Sequence, residues 1–436
     1  MKNELTNEGF FRPKKRDFLK VTKLLSVFLI IMLMAFHASA QTSDDVLNIL
    51  VQKGTITQSE ADSIKAKAAA AKQDEKAKVK IFPLGMSKLF QLSGYTQIRY
   101  QTYPKANKPD GFDIRRARLL LQGSITSKWD YGIQIDFVGG SASTPAGANT
   151  TTTNTVITPT LLDAYISYKA ADYLKFTAGQ MLLPLSAENN VSDKVMETVD
   201  RSQVVNALVA RKGDGLNGII DSIGNQNGRD LGIQLSGSFL KIQGRYIFDY
   251  YAGLFNGAGM NEPDNNESKD FSGRLVIHPF KILTIGGSYY NGYDRFAKTP
   301  TKDQQRTRWG TELTLNYKAL SIRSEFMRGQ DGNDRHLAAQ LTPAIHQGWY
   351  AQACYFVVPN KLQAVFKYDT YSPIVNPASP GLNKIKDANT YLIFGVNYFF
   401  NPTVKLQADY SWRTEQGDIP AVQYNDVATI QLQLGF

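Results

Sequence analysis

The sequence is most restrictive in what it lacks. There is one cysteine, Cys354, so no intrachain disulfide can form. Histidine is scarce: beyond residue 40 only His278, His336 and His346 occur. His336 and His346, with Asp331 and Asp334, are the one grouping rich in metal-ligand types, and their ten-residue spacing matches no common site. No G-x-S-x-G nucleophile turn is present, and nothing in the sequence brings Ser288 to His336. The glycines of Gly253–Gly259 lack the helix and lysine that a phosphate-cradling loop needs. No catalytic residue, metal ligand or cofactor is therefore expected. Long apolar runs are absent too, apart from Leu24–Phe36. A hydrophobic fraction of 42% and a mean hydropathy of −0.29 are too polar for a bundle of membrane-spanning helices. The formal charge is +10, of which the first forty residues hold seven basic against three acidic groups, a net +4. The remaining +6 is mild and gives no reason to expect a nucleic-acid partner.

The short apolar run has the surroundings of an export signal. Arg12, Lys14, Lys15, Arg16, Lys20 and Lys23 precede it, and Ala38-Ser39-Ala40 follows as a small-residue cleavage site. Residues 1–40 are thus expected to be a signal peptide. Residues 41–86 differ in kind. Val46, Leu47, Ile49 and Leu50 share one helical flank, and Thr57-Gln58-Ser59-Glu60 makes a capping box ahead of an Ala/Lys/Glu/Gln-rich stretch. This is the pattern of a periplasmic helical lead-in, either a coiled coil or a solvated linker, ended by Pro83 and Gly85.

From 87 to 436 the chain alternates. About sixteen candidate strands begin between Lys88 and Asn425, joined by connections that are long, short, long, short to the end. The long ones include Gly140–Val156 and Leu183–Arg229; the tight ones include Thr126–Lys128, Leu240 and Asn401–Pro402. A soluble sandwich has no cause to keep its two ends so different. A transmembrane antiparallel β-barrel does, with short periplasmic turns and longer extracellular loops. An all-β barrel of about 16 strands, with 14 to 18 compatible, is therefore expected in a Gram-negative outer membrane.

Parity sorts the faces. In Thr403–Arg413 the set Val404, Leu406, Ala408, Tyr410, Trp412 alternates with Lys405, Gln407, Asp409, Ser411, Arg413. Phe90–Gln101 and Ile242–Tyr250 behave alike. Successive strand residues point to opposite faces, so each strand has an apolar side for lipid and a charged side for a water-filled lumen. The last strand, Ile430–Phe436, ends on an aromatic residue, Phe436, in the manner of the signal read by the barrel-assembly machinery.

Several segments carry a resemblance to a known family: Val46–Thr57, Gly111–Leu119 with its Arg115-Arg116-Ala117-Arg118, the Gly179–Glu188 turn with Pro184-Leu185-Ser186-Ala187-Glu188, and Arg229–Ile233. Together they resemble the phosphate-selective porins O and P, in the form common among Bacteroidetes. The resemblance implies a homotrimeric sixteen-stranded channel with a basic interior, passing small anions such as phosphate and surrounded by outer-membrane lipid and lipopolysaccharide.

The expected function is passive diffusion of small hydrophilic solutes with an anion preference. By parity the anion-path candidates are Arg99, Arg116, Arg118, Arg245, Arg274, Arg308 and Arg323, joined by Arg115 as part of the dense Arg115, Arg116, Arg118 group. Guanidinium groups on one wall can take up an anion through bidentate hydrogen bonds. The competing role is to brace the wall against Asp136, Asp163, Asp249, Glu312, Glu325, Asp369 and Asp409. In the long loop 183–229, Lys194, Arg201, Arg211 and Lys212 are the constriction candidates. A non-selective diffusion porin, or a surface adhesin without an open pore, remains the alternative. A fatty-acid channel would need an apolar lumen, and a gated receptor would need a plug domain larger than the lead-in.

Overall fold

Apolar–polar alternation over stretches of about ten residues leaves one stable arrangement in lipid: a sheet closed on itself, in which every backbone N–H and C=O is paired. A computed structural model of the chain has this form. It describes residues 88–103, 109–143, 155–209, 228–264, 266–294, 303–331, 344–372, 375, 388–416 and 426–436. The expected signal peptide and helical lead-in lie outside the described residues.

The sixteen strands are β1 Gln91–Thr102, β2 Gly111–Ser124, β3 Trp129–Ser143, β4 Thr155–Ala171, β5 Leu174–Leu182, β6 Arg229–Ile242, β7 Arg245–Phe255 and β8 Asp270–Phe280. They continue as β9 Leu283–Asp294, β10 Gln304–Tyr317, β11 Leu320–Asp331, β12 Ala344–Val358, β13 Leu362–Ser372, β14 Ala388–Asn401, β15 Val404–Gln416 and β16 Val427–Gly435. Each pairs antiparallel with its sequence neighbours, and β1 closes on β16 with Tyr95 opposite Gly435 and Thr102 opposite Ala428. Every strand begins within four residues of the position expected from sequence.

The tight turns have local causes. At Asn401 the side-chain Oδ1 accepts from the Thr403 and Val404 amides, both at 2.9 Å, an Asx turn. The largest departure from expectation is the turn after β6. It falls at Gln243-Gly244, with φ of 50° and 80°, where two positive φ values match the twist of a two-residue hairpin. Leu240, the expected turn, lies instead within β6, in unbroken register between the Phe239–Phe248 and Lys241–Tyr246 pairs, with φ 57°.

The two faces differ as the alternation requires. Leu92, Ile98, Ile233, Leu275, Phe366, Phe394 and Leu434 stand exposed on the outside, while Gln97, Arg116, Asp136, Lys367, Asn397 and Gln407 are buried within. So much exposed apolar surface suits lipid, not water. Aromatic side chains form a row on the outside, with Trp309 and Phe326 rings 5.4 Å apart and Trp349 and Tyr368 4.9 Å apart. Among the described residues no helix is long and apolar enough to cross a membrane; the strands are the crossing elements.

Candidate functional site

The described part of the connection between β5 and β6, residues 183–209, lies inside the barrel. Its first carbons are apolar, and they pack where the inner wall is apolar too. Leu183 and Leu185 join Val204, Val205, Leu208 and Val209 of a short helix, α1 (Gln203–Val209), against Phe255, Tyr290, Met327, Tyr350 and Tyr371. A small hydrophobic core thus sits inside the lumen, on the β7–β13 side. These five wall residues occupy inward positions that are charged or polar elsewhere in the barrel. Sequence reasoning passed over them; the signal was that break in the inward polar pattern.

Beyond Leu185 the loop is held by polar contacts to nearly every strand it crosses. At Ser186, whose φ is 71°, the chain winds around the carboxylate of Glu325 on β11. Glu325 accepts from Ser186 Oγ at 2.7 and 2.8 Å and from the Ala187 and Glu188 amides at 3.0 Å each. Asp409 on β15 accepts from the Val199 amide at 2.6 Å. Asp369 on β13 accepts from the Gln203 amide at 2.9 Å, satisfying a first-turn N–H of α1 that has no partner within the helix. Lys405 Nζ donates to the Met196 carbonyl at 2.6 Å, and Arg323 meets Glu197 at 3.2 Å.

Two loop carboxylates are buried and gripped in return. Glu188 meets Lys367 Nζ at 2.8 Å and accepts from the Ser202 amide and hydroxyl at 2.8 and 2.6 Å. Burial pushes its pKa up, but Lys367 and Arg201 more than offset this and hold it below the usual value. Asp193 meets Arg118 at 2.7 Å, Arg201 at 2.8 Å and Arg116 at 3.2 Å. Here too burial works upward, and the guanidiniums of Arg116, Arg201 and Arg118 hold the carboxyl well below the carboxylate range. Arg118 is further fixed by Asp136 and by the Tyr95 hydroxyl, each at 2.8 Å.

All eight wall arginines singled out from sequence point into the lumen, but they are not one group. Seven are ion-paired. Arg116 and Arg118, 1% and 3% exposed, are sealed beneath the loop. Arg274 pairs with Glu312 at 2.5 Å, and Arg308 with Asp331 at 2.7 Å and the Leu208 carbonyl at 3.3 Å. Arg99 and Arg115, 13% and 16% exposed, are more open than Arg116 and Arg118, as are Arg274 and Arg323 at 13% and 15%. Arg99 holds Asp113 at 2.7 Å, and both converge on Asp200, at 3.8 and 3.2 Å. Arg115 and Arg116 are consecutive yet both meet carboxylates of the inward loop, so the alternation breaks locally there, as at a bulge. Arg245 stands apart at the tight-turn end, donating to the His278 and Pro279 carbonyls.

Of the loop candidates, Arg201 braces the loop itself, through Asp193 and the carbonyls of Glu188 and Val191. Lys194 is half-exposed at the turn following Ser192, with no carboxylate paired to it among the described residues. Arg211 and Lys212 lie outside the described residues. Phe436 pairs its backbone with Gly94, at 3.0 and 3.2 Å, and exposes its ring on the outer face. Among the described residues no three His, Cys, Asp or Glu side chains cluster as metal ligands.

The barrel fold has known counterparts. The model of the phosphate-selective porin O and P family matches residues 90–436. The anion-selective porin from Comamonas acidovorans shares the fold with a TM-score of 0.53 at 10% identity, over 80% of this chain and 99% of that one. Salmonella typhi OmpF, solved with daunomycin, gives 0.55 at 10% identity, over 80% and 97%. The trimer form of OmpT, an outer membrane protein of Vibrio cholerae, gives 0.51 at 11% identity, over 80% and 99%. No curated protein sequence matches the chain.

Proposed function

The chain belongs to the phosphate-selective porin O and P family and is an outer-membrane porin, and on that premise we propose that it passes small hydrophilic solutes with a preference for anions. The observation that carries the preference is the convergence of two partly open guanidiniums, Arg99 and Arg115, on the single carboxylate of Asp200. Arg413 adds a third cation on the same side, stacked over the Tyr391 ring at 4.7 Å. Lys194 supplies a fourth positive group, on the loop itself. In this reading Arg116 and Arg118 set the bore by bracing the loop, and the solute meets Arg99, Arg115 and Lys194. Phosphate is the anion to test, because the family is named for it and a guanidinium pair matches its oxygens.

A non-selective diffusion porin is the second reading, favoured by the pairing of seven of the eight wall arginines with carboxylates. Homotrimer assembly, recognition of the strand ending in Phe436 by the barrel-assembly machinery, and export directed by residues 1–40 belong to the same proposal; the trimeric form of OmpT supports the first. The deciding experiment is the reversal potential of the refolded protein in a planar bilayer under a salt gradient, with and without phosphate. Discrete steps with an anion bias that phosphate blocks, and that the Arg99→Gln, Arg115→Gln pair reduces, are expected. Steps without bias or block would establish the non-selective porin, and absence of steps would return the adhesin.

A further inference from the structure

Nearly every lysine and arginine on the described strands faces the lumen or the periplasmic rim. Arg328 on β11 does not. Its neighbours in the inward series, Glu325, Met327, Gly329 and Asp331, are buried, while Arg328 shares the other parity with Phe326 and the exposed Gln330. Across the sheet it lies opposite Trp309 on β10 and Gln347 on β12, both outward-facing. A cation on the lipid side of a barrel is costly, on the order of 2–4 kcal/mol at the midplane and about 0–1 kcal/mol near the interface. Its depth therefore matters.

The aromatic row fixes that depth. Trp309, Phe326, Trp349 and Tyr368 run across β10 to β13, the arrangement that marks a membrane–water interface. Arg328 stands two residues beyond Phe326, toward the end of β11 that bears the long connection, hence on the extracellular side. Its surroundings there are polar and uncharged. Gln347 Oε1 accepts from Arg328 Nη1 at 3.0 Å, and Thr307, Gln330 and, on β9–β10, a hydrogen-bonded Asn291–Gln305 pair complete the outer face. No carboxylate is paired with Arg328 among the described residues. One acceptor at Nη1 leaves the other guanidinium donors for a group supplied from outside.

We infer that the outer face around Arg328 binds the phosphate of an outer-leaflet glycolipid headgroup, with Trp309 and Trp349 packed beside its acyl chains. The guanidinium offers the planar, multidentate donor set that suits a phosphate. The site faces lipid, so its ligand is a lipid phosphate and not the solute in the pore. This inference does not rest on the anion preference proposed above.

The test uses the full-length protein purified in a non-ionic detergent and native mass spectrometry with added bisphosphorylated lipid A, dephosphorylated lipid A or inorganic phosphate. Wild type is expected to retain bisphosphorylated lipid A about tenfold more tightly than Arg328→Gln, the value of one charge-assisted contact. Dephosphorylated lipid A should not distinguish the two, and millimolar inorganic phosphate should not displace the lipid. Arg328→Lys keeps a point charge and should fall between them, which also covers failure of Arg328→Gln to fold. Equal retention by wild type, Arg328→Lys and the folded Arg328→Gln would overturn the inference. So would equal binding of the dephosphorylated lipid, and displacement by inorganic phosphate would assign the site to free anion instead.

Discussion

Along β1 and β2 the wall meets the inward loop with guanidiniums closing on side-chain carboxylates, Arg116 and Arg118 on the buried Asp193 and Arg99 and Arg115 on Asp200. Along β11, β13 and β15 a second kind of contact joins such pairs as Arg323–Glu197 and Lys367–Glu188: Glu325, Asp369 and Asp409 take up backbone amides of the loop. The difference matters because the two kinds of contact depend on different parts of the sequence. A backbone amide is present whatever the loop residue, so the acidic wall fixes the path of the loop and tolerates side-chain change. The basic wall requires an acid at residue 193.

Breaking the basic side should have the larger effect. Asp193→Asn leaves Arg116 and Arg118 buried without their shared counter-charge, a loss expected to be about 3–5 kcal/mol in the local opening of the loop. Faster hydrogen exchange over residues 183–209 and higher single-channel conductance would be measured, with the melting of the barrel little changed. On the acidic side, Glu325→Gln keeps an acceptor but loses the charge, and about 1–3 kcal/mol is expected in the same exchange experiment. A larger loss for Glu325→Gln than for Asp193→Asn would reverse the ranking of the two walls. Asp369→Asn and Asp409→Asn each weaken one amide contact and should cost about 1 kcal/mol.

Acidity sharpens the comparison further. The folded-state value of Asp193 lies below its unfolded value, so its contribution is fully present above the ordinary carboxylate range and fades as pH falls through the native value. The difference in loop exchange between wild type and Asp193→Asn should therefore be constant from pH 8 to about pH 5. It should narrow only below about pH 4. A difference that shrank near neutrality would mean that the guanidinium grip is not what stabilises Asp193. The smallest structural effect is expected at the rim: Arg115→Gln, in a partly open pair, should change loop stability by about 0–1 kcal/mol while lowering the anion bias.

The barrel was legible in the sequence because its signals are local. A period of two, turn residues and connection length are each read within about ten residues, and Gln243-Gly244 shows the limit. Pairing of β6 with β7 runs through Leu240 without a register shift and carries the turn past its expected place, since nothing local in the sequence says where that pairing stops. The site was legible only in part. Parity sent Arg99, Arg116, Arg118 and Arg323 to the lumen, but it could not say which would meet a solute, because their partners lie far away in the chain. Arg118 and Asp193 are 75 residues apart, and Glu325 and Ser186 are 139 apart. Parity also failed to mark Phe255, Tyr290, Met327, Tyr350 and Tyr371, whose inward apolar side chains make sense only once the loop packs on them.

By itself, then, the sequence determined a closed barrel of about sixteen strands with an apolar outside and a charged inside, because alternation and backbone pairing in lipid leave a sheet no open edge. Which arginines are sealed and which stay open was decided only by tertiary structure. That choice depends on where residues 183–209 lie across the lumen, and their course is set by buried carboxylates and amides that are far apart in the chain and meet only in the closed barrel.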